Sequence, residues 1–176
     1  RKPGSVGLPQ PGVDVLLEDG EVCIKSELLM DGYFDQPAAT AEALRDGWYH
    51  TGDLGSFDDE GYLSIVGRAR DVIRTGGETV APGEVETVLV THPSVREVAV
   101  VGVPDPKWGE IVCAVVVPQP GFDDALDLDD LRAHSATRLA PFKQPRRMQI
   151  VDELPRTPAT GQVQRTLLLE RIALRP

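Results

Sequence analysis

The apolar pattern of the chain changes at residues 67–71, and this change constrains the fold more than any other feature. Before it, short apolar runs are separated by turn signals such as Asp19-Gly20, which is typical of antiparallel hairpins. After it, apolar residues at helical spacing alternate with strand-like runs. The sequence therefore predicts an α+β fold in two parts, a β-rich part over residues 1–69 and a mixed α+β part over residues 70–176.

Turn and capping residues set the boundaries of the predicted elements. Pro82 suits the first turn of a helix, and Asp127 suits the N-cap of another. In the first part, the predicted strands cover residues 13–17, 21–26, 54–57 and 62–66, with a short helix over 40–44. In the second part, the predicted helices cover residues 82–90, 127–139 and 163–172, and the predicted strands cover 95–103, 111–118 and 148–151.

Composition narrows the class of protein. The net charge of −10 argues against a nucleic-acid partner, because phosphate binding needs a basic surface. No apolar run is as long as a membrane span. Cys23 and Cys113 lie far apart within apolar runs, which is typical of buried free thiols in a reducing compartment. We therefore expect a cytoplasmic protein without a membrane span.

The stretch YHTGDLG at residues 49–55 contains the first candidate site residue. Asp53 follows a glycine beside a predicted strand, where a carboxylate can accept two hydrogen bonds from a ribose diol. Arg68 follows the next predicted strand, so its guanidinium could reach the same ligand. Alone, an Asx turn and a surface arginine would explain these residues better. Together and this close in sequence, they favour a nucleotide site.

Two further stretches of the sequence contain motif-like residues in addition to residues 49–55. GRARDVIRTGGE at residues 67–78 continues into VAPGEVE at residues 80–86, and LPRTPATGQVQR occupies residues 154–165. In order and spacing, these stretches and residues 49–55 resemble the motifs of the AMP-forming ligase superfamily, which includes acyl-CoA synthetases and adenylation domains. The resemblance covers the chain essentially from end to end.

The resemblance implies a domain arrangement and a set of site residues. Residues 1–69 would be the β-rich C-terminal subdomain of the large adenylate-forming domain, and residues 70–176 the small mobile C-terminal domain. Paired glycines would leave room near the backbone for a thin ligand such as the pantetheine arm of CoA. The implied site residues are Asp53 and Arg68 for the nucleotide, Arg70 for the hinge, and Gly76, Gly77 and Glu78 for CoA.

Gln162 departs from the superfamily pattern. It occupies the position of a catalytic lysine that bonds the acyl carboxylate and the α-phosphate as negative charge shifts between them. Glutamine can donate a hydrogen bond, but it is shorter and uncharged. Losing a preorganised donor of this kind costs roughly 2.7–4 kcal/mol in other enzymes, about a hundred- to a thousandfold in rate.

The sequence predicts no metal or catalytic site at the histidines or at the acidic turn. His50, His92 and His134 lack the partner spacing of a zinc or histidine-based catalytic site, so no metal site is expected. The acidic run at residues 58–61 is explained by a solvated turn. Trp108 either stacks on an adenine or anchors its own loop, and the sequence leaves both alternatives open.

Two superfamily motifs, a phosphate loop ending in lysine and an aromatic adenine-binding motif, are not found in the sequence. Both precede the segment that resembles this chain. We therefore expect a C-terminal fragment of an AMP-forming acid–CoA ligase, inactive alone, whose missing partner is the large N-terminal domain. The whole enzyme would use a carboxylic acid, ATP with Mg²⁺, and CoA, none of which should bind the fragment tightly.

Two alternatives remain open at this point. One is an amino-acid adenylation domain that acts on a carrier protein, although such domains normally carry bulkier, more basic residues after the glycine at position 76. The other is a non-catalytic homologue that binds nucleotides, which the replacement of lysine by Gln162 and the absent phosphate loop would explain.

Overall fold

The chain forms two compact units, each built around its own sheet. The computed structural model describes residues 2–122 and 126–173. The units are Arg1–Arg70 and Asp71–Pro176, and each sheet has five strands. The predicted α+β class is confirmed, since mostly antiparallel sheets are combined with four α-helices in the described part of the chain. None of those helices is long and apolar enough to cross a membrane.

One antiparallel sheet organises the first unit. Its order is β1-β2-β4-β3, with β5 also paired to β4. Asp19 and Gly20 connect β1 to β2 with φ of 49° and 85°, which is the positive φ that a type I′ turn requires at both positions. The elements are β1 (Asp14–Glu18), β2 (Glu21–Lys25), α1 (Pro37–Ala43), β3 (Leu44–Arg45), β4 (Trp48–Phe57) and β5 (Leu63–Arg68).

The long strand β4 differs from the prediction. A strand was predicted only over residues 54–57, but β4 begins at Trp48 and includes residues 49–53 as well. The strand is long because β2 and β3 pair with its first half and β5 pairs with its second half. Gly52 has a φ of 70°, and the register shifts between Leu54 and Gly55, so the strand is irregular where the motif lies.

The second unit has β9 at the centre of its sheet. β8 pairs with β9 antiparallel along its whole length, β10 pairs with it parallel, and β6 pairs with its first residue. The β8–β9 hairpin is longer than predicted, because Pro104 and Asp105 still pair with Glu110 and Gly109. The strands are β6 (Ile73–Thr75), β7 (Glu78–Val80), β8 (Val95–Asp105), β9 (Gly109–Pro118) and β10 (Arg147–Ile150).

Helices cover both faces of this second sheet, which explains why β9 is apolar at nearly every position. Val112, Ala114 and Val116 belong to the core cluster that includes residues of α2 and α3. Cys113, Val115 and Val117 belong to the cluster that includes residues of α4. The helices are α2 (Pro82–Leu89), α3 (Leu128–Ser135) and α4 (Arg165–Ala173).

The predicted helix starts are confirmed for α2 and α3. Pro82 occupies the first turn of α2. The Asp127 side chain accepts a hydrogen bond from the Asp130 backbone N–H, so it is the N-cap of α3. α3 ends at Ser135, four residues before the predicted end at Leu139.

Candidate functional site

Asp53 and Arg68 form an ion pair in the first unit. They lie directly opposite each other on β4 and β5, and Arg68 Nε is 2.8 Å from Asp53 Oδ1. Arg68 Nη1 also donates to the backbone oxygen of Thr51 at 3.4 Å. The Arg68 side chain is 45% exposed and the Asp53 side chain is 29% exposed, so both remain accessible to a ligand. The structure thus brings together the two residues expected to bind a nucleotide.

An open cleft of about 710 Å³ lies beside this pair. β3 pairs with β4 at residues 48 and 49, and the pairing of β5 with β4 begins at residue 53. The cleft adjoins the part of β4 between these two pairings. Its lining includes Tyr33, Thr51, Gly52, Arg68 and Arg70. The volume is within the range of small-molecule sites. The polar side chains and backbone groups that line the cleft can form hydrogen bonds with a polar ligand.

The Glu21 side chain holds the backbone of the 49–55 motif, a role that was not predicted from the sequence. Its Oε1 accepts the Gly52 N–H at 2.8 Å, and its Oε2 lies 3.2 Å from His50 Nδ1. Partial burial raises the pKa of Glu21, but the hydrogen bonds from Gly52 and His50 outweigh that effect and leave the pKa below its ordinary value. The carboxylate is therefore ionised and fixes the backbone beside Asp53. Glu21 and Gly52 are 31 residues apart, so no local pattern indicates this contact.

Gly76 and Gly77 form a tight turn between β6 and β7 in the second unit. Thr75 pairs with Glu78, and the two glycines have φ of 61° and 88°. This is the two-residue hairpin geometry that favours glycine. The sequence did not predict these short strands, because each has only three residues.

Trp108 packs against Gly76. The Gly76 N–H donates to the Trp108 backbone oxygen at 2.8 Å, and a Cβ at position 76 would lie 2.6 Å from Trp108 Cε3. Arg146 Cζ and Lys107 Nζ lie 4.3 and 4.8 Å from the centroid of the indole ring, within the range of cation–π contacts. Asp105 Oδ1 accepts the backbone N–H of Trp108 at 2.9 Å. These contacts correspond to the loop-anchor alternative.

The loop that carries Gln162 is fastened at its base. Thr157 N–H donates to the Gln162 backbone oxygen at 2.8 Å. Arg156 Nη1 donates to the backbone oxygen of Gly161 at 2.8 Å, while its Nη2 is 2.6 Å from Glu97 Oε2. Gln162 itself is exposed. An exposed residue on a loop held in this way can be presented to a ligand in a defined position.

Arg165 fixes the end of this loop where α4 begins. No role was predicted for it from the sequence. Its Nη2 lies 2.6 Å from Glu86 Oε1, and its Nη1 lies 3.6 Å from Asp71 Oδ2. Glu86 Oε1 also accepts the Val100 N–H at 2.8 Å. The start of α4 is thereby tied to α2 and β8. Glu86 and Arg165 are 79 residues apart in sequence.

The expected site residues fall into three groups. Arg68 and Arg70 line the cleft of the first unit, and Asp53 is paired with Arg68. In the second unit, residues 76–78 lie at the β6–β7 hairpin, and Gln162 lies on the loop that precedes α4.

Comparison with known proteins gives a consistent result. A family model described as the AMP-binding enzyme C-terminal domain matches residues 84–160. A feruloyl-CoA synthase from an Amycolatopsis species is 44% identical over 167 residues, which covers 89% of this chain and 34% of that protein. A long-chain-fatty-acid–CoA ligase from Mycobacterium tuberculosis is 41% identical and covers 97% of this chain and 35% of its own.

A solved structure agrees with these relatives. The crystal structure of ATP-bound MatB from Rhodopseudomonas palustris matches with a TM-score of 0.89 and 38% identity, over 97% of this chain and 36% of that one. The chain spans about a third of the length of the curated relatives it matches.

Proposed function

Because this chain belongs to the superfamily of AMP-forming, adenylate-forming ligases, we propose that it acts as the C-terminal portion of an AMP-forming acid–CoA ligase. The carboxylate oxygen of an acid attacks the α-phosphorus of Mg-ATP, which forms an acyl-adenylate and releases pyrophosphate. The sulfur of CoA then attacks the acyl carbon. A thioester bond forms, the bond to AMP breaks, and the thiol proton is lost.

The pairing of Asp53 with Arg68 beside an open cleft is the observation that carries this proposal. An ionised carboxylate accepts hydrogen bonds from the ribose hydroxyls, and the guanidinium donates to ribose or phosphate oxygens. Their separation of 2.8 Å allows one ribose to contact both. In this proposal the Glu21 carboxylate keeps Gly52 in place, so that Asp53 is aimed at the ligand.

The second unit supplies two loops for the two half-reactions. We assign the Gly76-Gly77 turn and Glu78 to CoA, since a Cβ at Gly77 would meet no atom within 4 Å and the backbone there can be approached closely. We assign the Gln162 loop to adenylation. Rotation of the second unit about Arg70 would exchange the loops, so that one site serves two transition states with different charge distributions.

Gln162 limits the first half-reaction. Negative charge develops between the acyl carboxylate and the α-phosphate, and a neutral amide stabilises it less than an ammonium group does. Restoring a lysine should therefore recover about a hundred- to a thousandfold in rate. Because Gln162 is exposed, the replacement should not disturb the core.

The test uses a chimera that joins this chain to the N-terminal part of a CoA-ligase relative. Pyrophosphate release reports on adenylation, and thioester formation from a preformed acyl-adenylate reports on CoA transfer. Gln162→Lys should accelerate adenylation and change CoA transfer much less. Gln164→Lys is the matched control, because it adds the same charge to the same segment, two residues farther along.

Other outcomes would reject the proposal. Equal effects of Gln162→Lys on both half-reactions, or none on adenylation, would remove Gln162 from the lysine's position. Acyl transfer to a carrier-protein thiol in preference to CoA would favour the amino-acid adenylation alternative. No acyl-adenylate even with Gln162→Lys would favour a non-catalytic nucleotide-binding role. The chain by itself should release no pyrophosphate above background.

A further inference from the structure

A cluster of metal-ligating side chains lies in the first unit. Two of them, Glu21 and His50, also line the cleft, but none is assigned to the nucleotide. The strand registers create the cluster. Glu18 pairs with Glu21 across β1 and β2, and Cys23 pairs with His50 across β2 and β4. Glu21 Oε2 and Cys23 Sγ both lie close to His50 Nδ1, at 3.2 and 3.4 Å, so their side chains leave the same face of β2. Three strands therefore bring Glu18, Cys23 and His50 to one point.

The distances in this cluster match those between ligands of a small cation. One ligand atom from each of Glu18, Cys23 and His50 lies within 4.8 Å of the other two. His50 Nδ1 is 3.4 Å from Cys23 Sγ and 3.8 Å from Glu18 Oε2. Tetrahedral zinc, with bonds of about 2.0–2.3 Å to nitrogen, oxygen and sulfur, places its ligand atoms roughly 3.3–3.8 Å apart. The side chains need only small rotations to share one ion.

Glu21 adds a fourth ligand atom, a carboxylate oxygen, and a supporting contact. Its Oε2 is 3.2 Å from the same His50 Nδ1, while its Oε1 accepts the Gly52 N–H at 2.8 Å. Carboxylates that bind metals are commonly held by such an outer hydrogen bond. One oxygen of Glu21 is thus oriented by the backbone, and the other faces the cluster.

Access and chemistry favour zinc over hard cations. The His50 side chain is only 4% exposed, but Glu18 keeps 62% of its side-chain surface exposed and opens the cluster to solvent. A thiolate, an imidazole and carboxylates suit Zn²⁺, whereas Mg²⁺ and Ca²⁺ prefer oxygen ligands alone. The combined charge of one thiolate and the carboxylates offsets a divalent ion.

We propose that Glu18, Cys23 and His50, with Glu21 in the fourth position, form a binding site for Zn²⁺. The ion ties β1, β2 and β4 together next to residues 51–53. It is a structural ion, because protein groups fill all four positions and none remains for a substrate. It acts on the nucleotide motif through the hydrogen bond between Glu21 and Gly52.

The first experiment titrates the 176-residue chain, purified with a chelator and then dialysed, with ZnCl₂ and separately with CoCl₂. Calorimetry should show one equivalent of Zn²⁺ bound per chain, and the melting temperature should rise with zinc concentration, as expected for a ligand that binds only the folded state. Co²⁺ should give the absorption of a tetrahedral site together with a thiolate-to-cobalt charge-transfer band.

Paired variants identify the ligands. Cys23→Ala should abolish the charge-transfer band, while Cys113→Ala, which alters the buried free thiol of the second unit, should retain it. Glu18→Gln replaces a charged carboxylate with a neutral amide, which is a weaker zinc ligand, and the exposed side chain at this position lies outside the core. It should weaken zinc binding at least tenfold, since even outer-shell partners contribute about 10–100-fold to metal affinity. Glu27→Gln is the exposed control in the same unit.

Three outcomes would overturn the proposal. They are the absence of one-to-one zinc binding, a cobalt spectrum without the thiolate band, and zinc affinity that is equal in Glu18→Gln and Glu27→Gln. Binding that is lost instead in His92→Gln or His134→Gln would show adventitious binding in the second unit. If Cys23→Ala does not fold, the comparison of zinc affinity between Glu18→Gln and Glu27→Gln still tests the proposal, because Glu18→Gln leaves the buried residues unchanged.

Discussion

Arg68 Nε lies 2.8 Å from Asp53 Oδ1 across the paired strands β4 and β5. Ion pairs as exposed as this one typically contribute only about 0–1 kcal/mol to the free energy of unfolding. The pair therefore contributes little to stability. In the proposed nucleotide site, the same two groups would contribute much more to the binding of a ribose. Affinity and stability should respond differently when either residue is changed.

Asp53→Ala should weaken the binding of AMP and ATP in the CoA-ligase chimera. The lost hydrogen bonds from the ribose hydroxyls to a charged group correspond to roughly 1.5–3 kcal/mol of binding free energy. Calorimetric titration with AMP measures this directly. The melting temperature of the 176-residue chain should change little. Asp59→Ala, in the exposed turn before β5, is the control, and an AMP affinity equal to that control would remove Asp53 from the site.

Gly76→Ala and Gly77→Ala should differ in their effect on stability. Both place an alanine at positive φ, which costs about 1–2 kcal/mol for a residue other than glycine. Only the Cβ at position 76 would also collide with Trp108, at 2.6 Å. That overlap should add about 1–3 kcal/mol to the loss of unfolding free energy. Urea denaturation of the two variants compares them, and equal losses would show that Trp108 moves away without cost.

Arg70→Pro tests the proposed hinge. Arg70 lies in a 3₁₀ segment, Ala69–Asp71, whose usual φ of about −50 to −70° suits proline. Fixing φ there should trap one orientation of the second unit, so one half-reaction of the chimera should slow far more than the other.

The control for this prediction is Arg70→Ala, which removes the side chain but leaves φ free. It should affect both half-reactions alike. If Arg70→Pro also slows both half-reactions equally, or if its only effect is a large loss of thermal stability, residue 70 is not the hinge.

Cys113 should make stability depend on pH in the alkaline range. Burial raises the pKa of Cys113 from its ordinary value of 9.0 to about 11. Above pH 9 the unfolded chain loses the thiol proton first, so the unfolded state is favoured increasingly until the folded thiol ionises near pH 11. This stabilisation is complete below pH 9. By pH 11 the wild-type chain should have lost about 2 kcal/mol more than Cys113→Ala, because the folded thiol is then half ionised.

Unfolding free energies of both proteins, measured from pH 7 to pH 11, give this difference. Below pH 9 the two curves should run parallel. Above pH 9 lysine and tyrosine groups also titrate, but both proteins share them, so they cancel in the difference between the two curves. Parallel curves throughout would show that Cys113 ionises equally in the folded and unfolded chains.

Local sequence signals predicted much of the fold. Asp19-Gly20 gave the turn between β1 and β2, and Asp127 gave the start of α3, because each acts through residues nearby in the chain. The extent of β4 could not be predicted in this way. Its first half is a strand only because β2 and β3 supply hydrogen-bond partners, and these come from separate segments of the sequence.

The candidate site shows the same limit. Asp53 and Arg68 were chosen for their residue types and their order, and strand pairing explains their contact. Glu21 and Arg165 were missed, since their partners Gly52 and Glu86 are 31 and 79 residues away. His50 and Cys23, 27 residues apart, lack any recognised metal-ligand spacing, and only the register of β2 on β4 brings them together.

The position of Trp108 against Gly76 has a practical consequence for spectroscopy. The chain contains two tryptophans, with Trp48 in the first unit and Trp108 in the second. In a Trp48→Phe protein, all indole emission would come from the ring that contacts Gly76 and lies near two cationic side chains. Indole emission responds to nearby charge and to solvent. A single intrinsic fluorophore, with no attached dye, would then report events at the β6–β7 turn in real time.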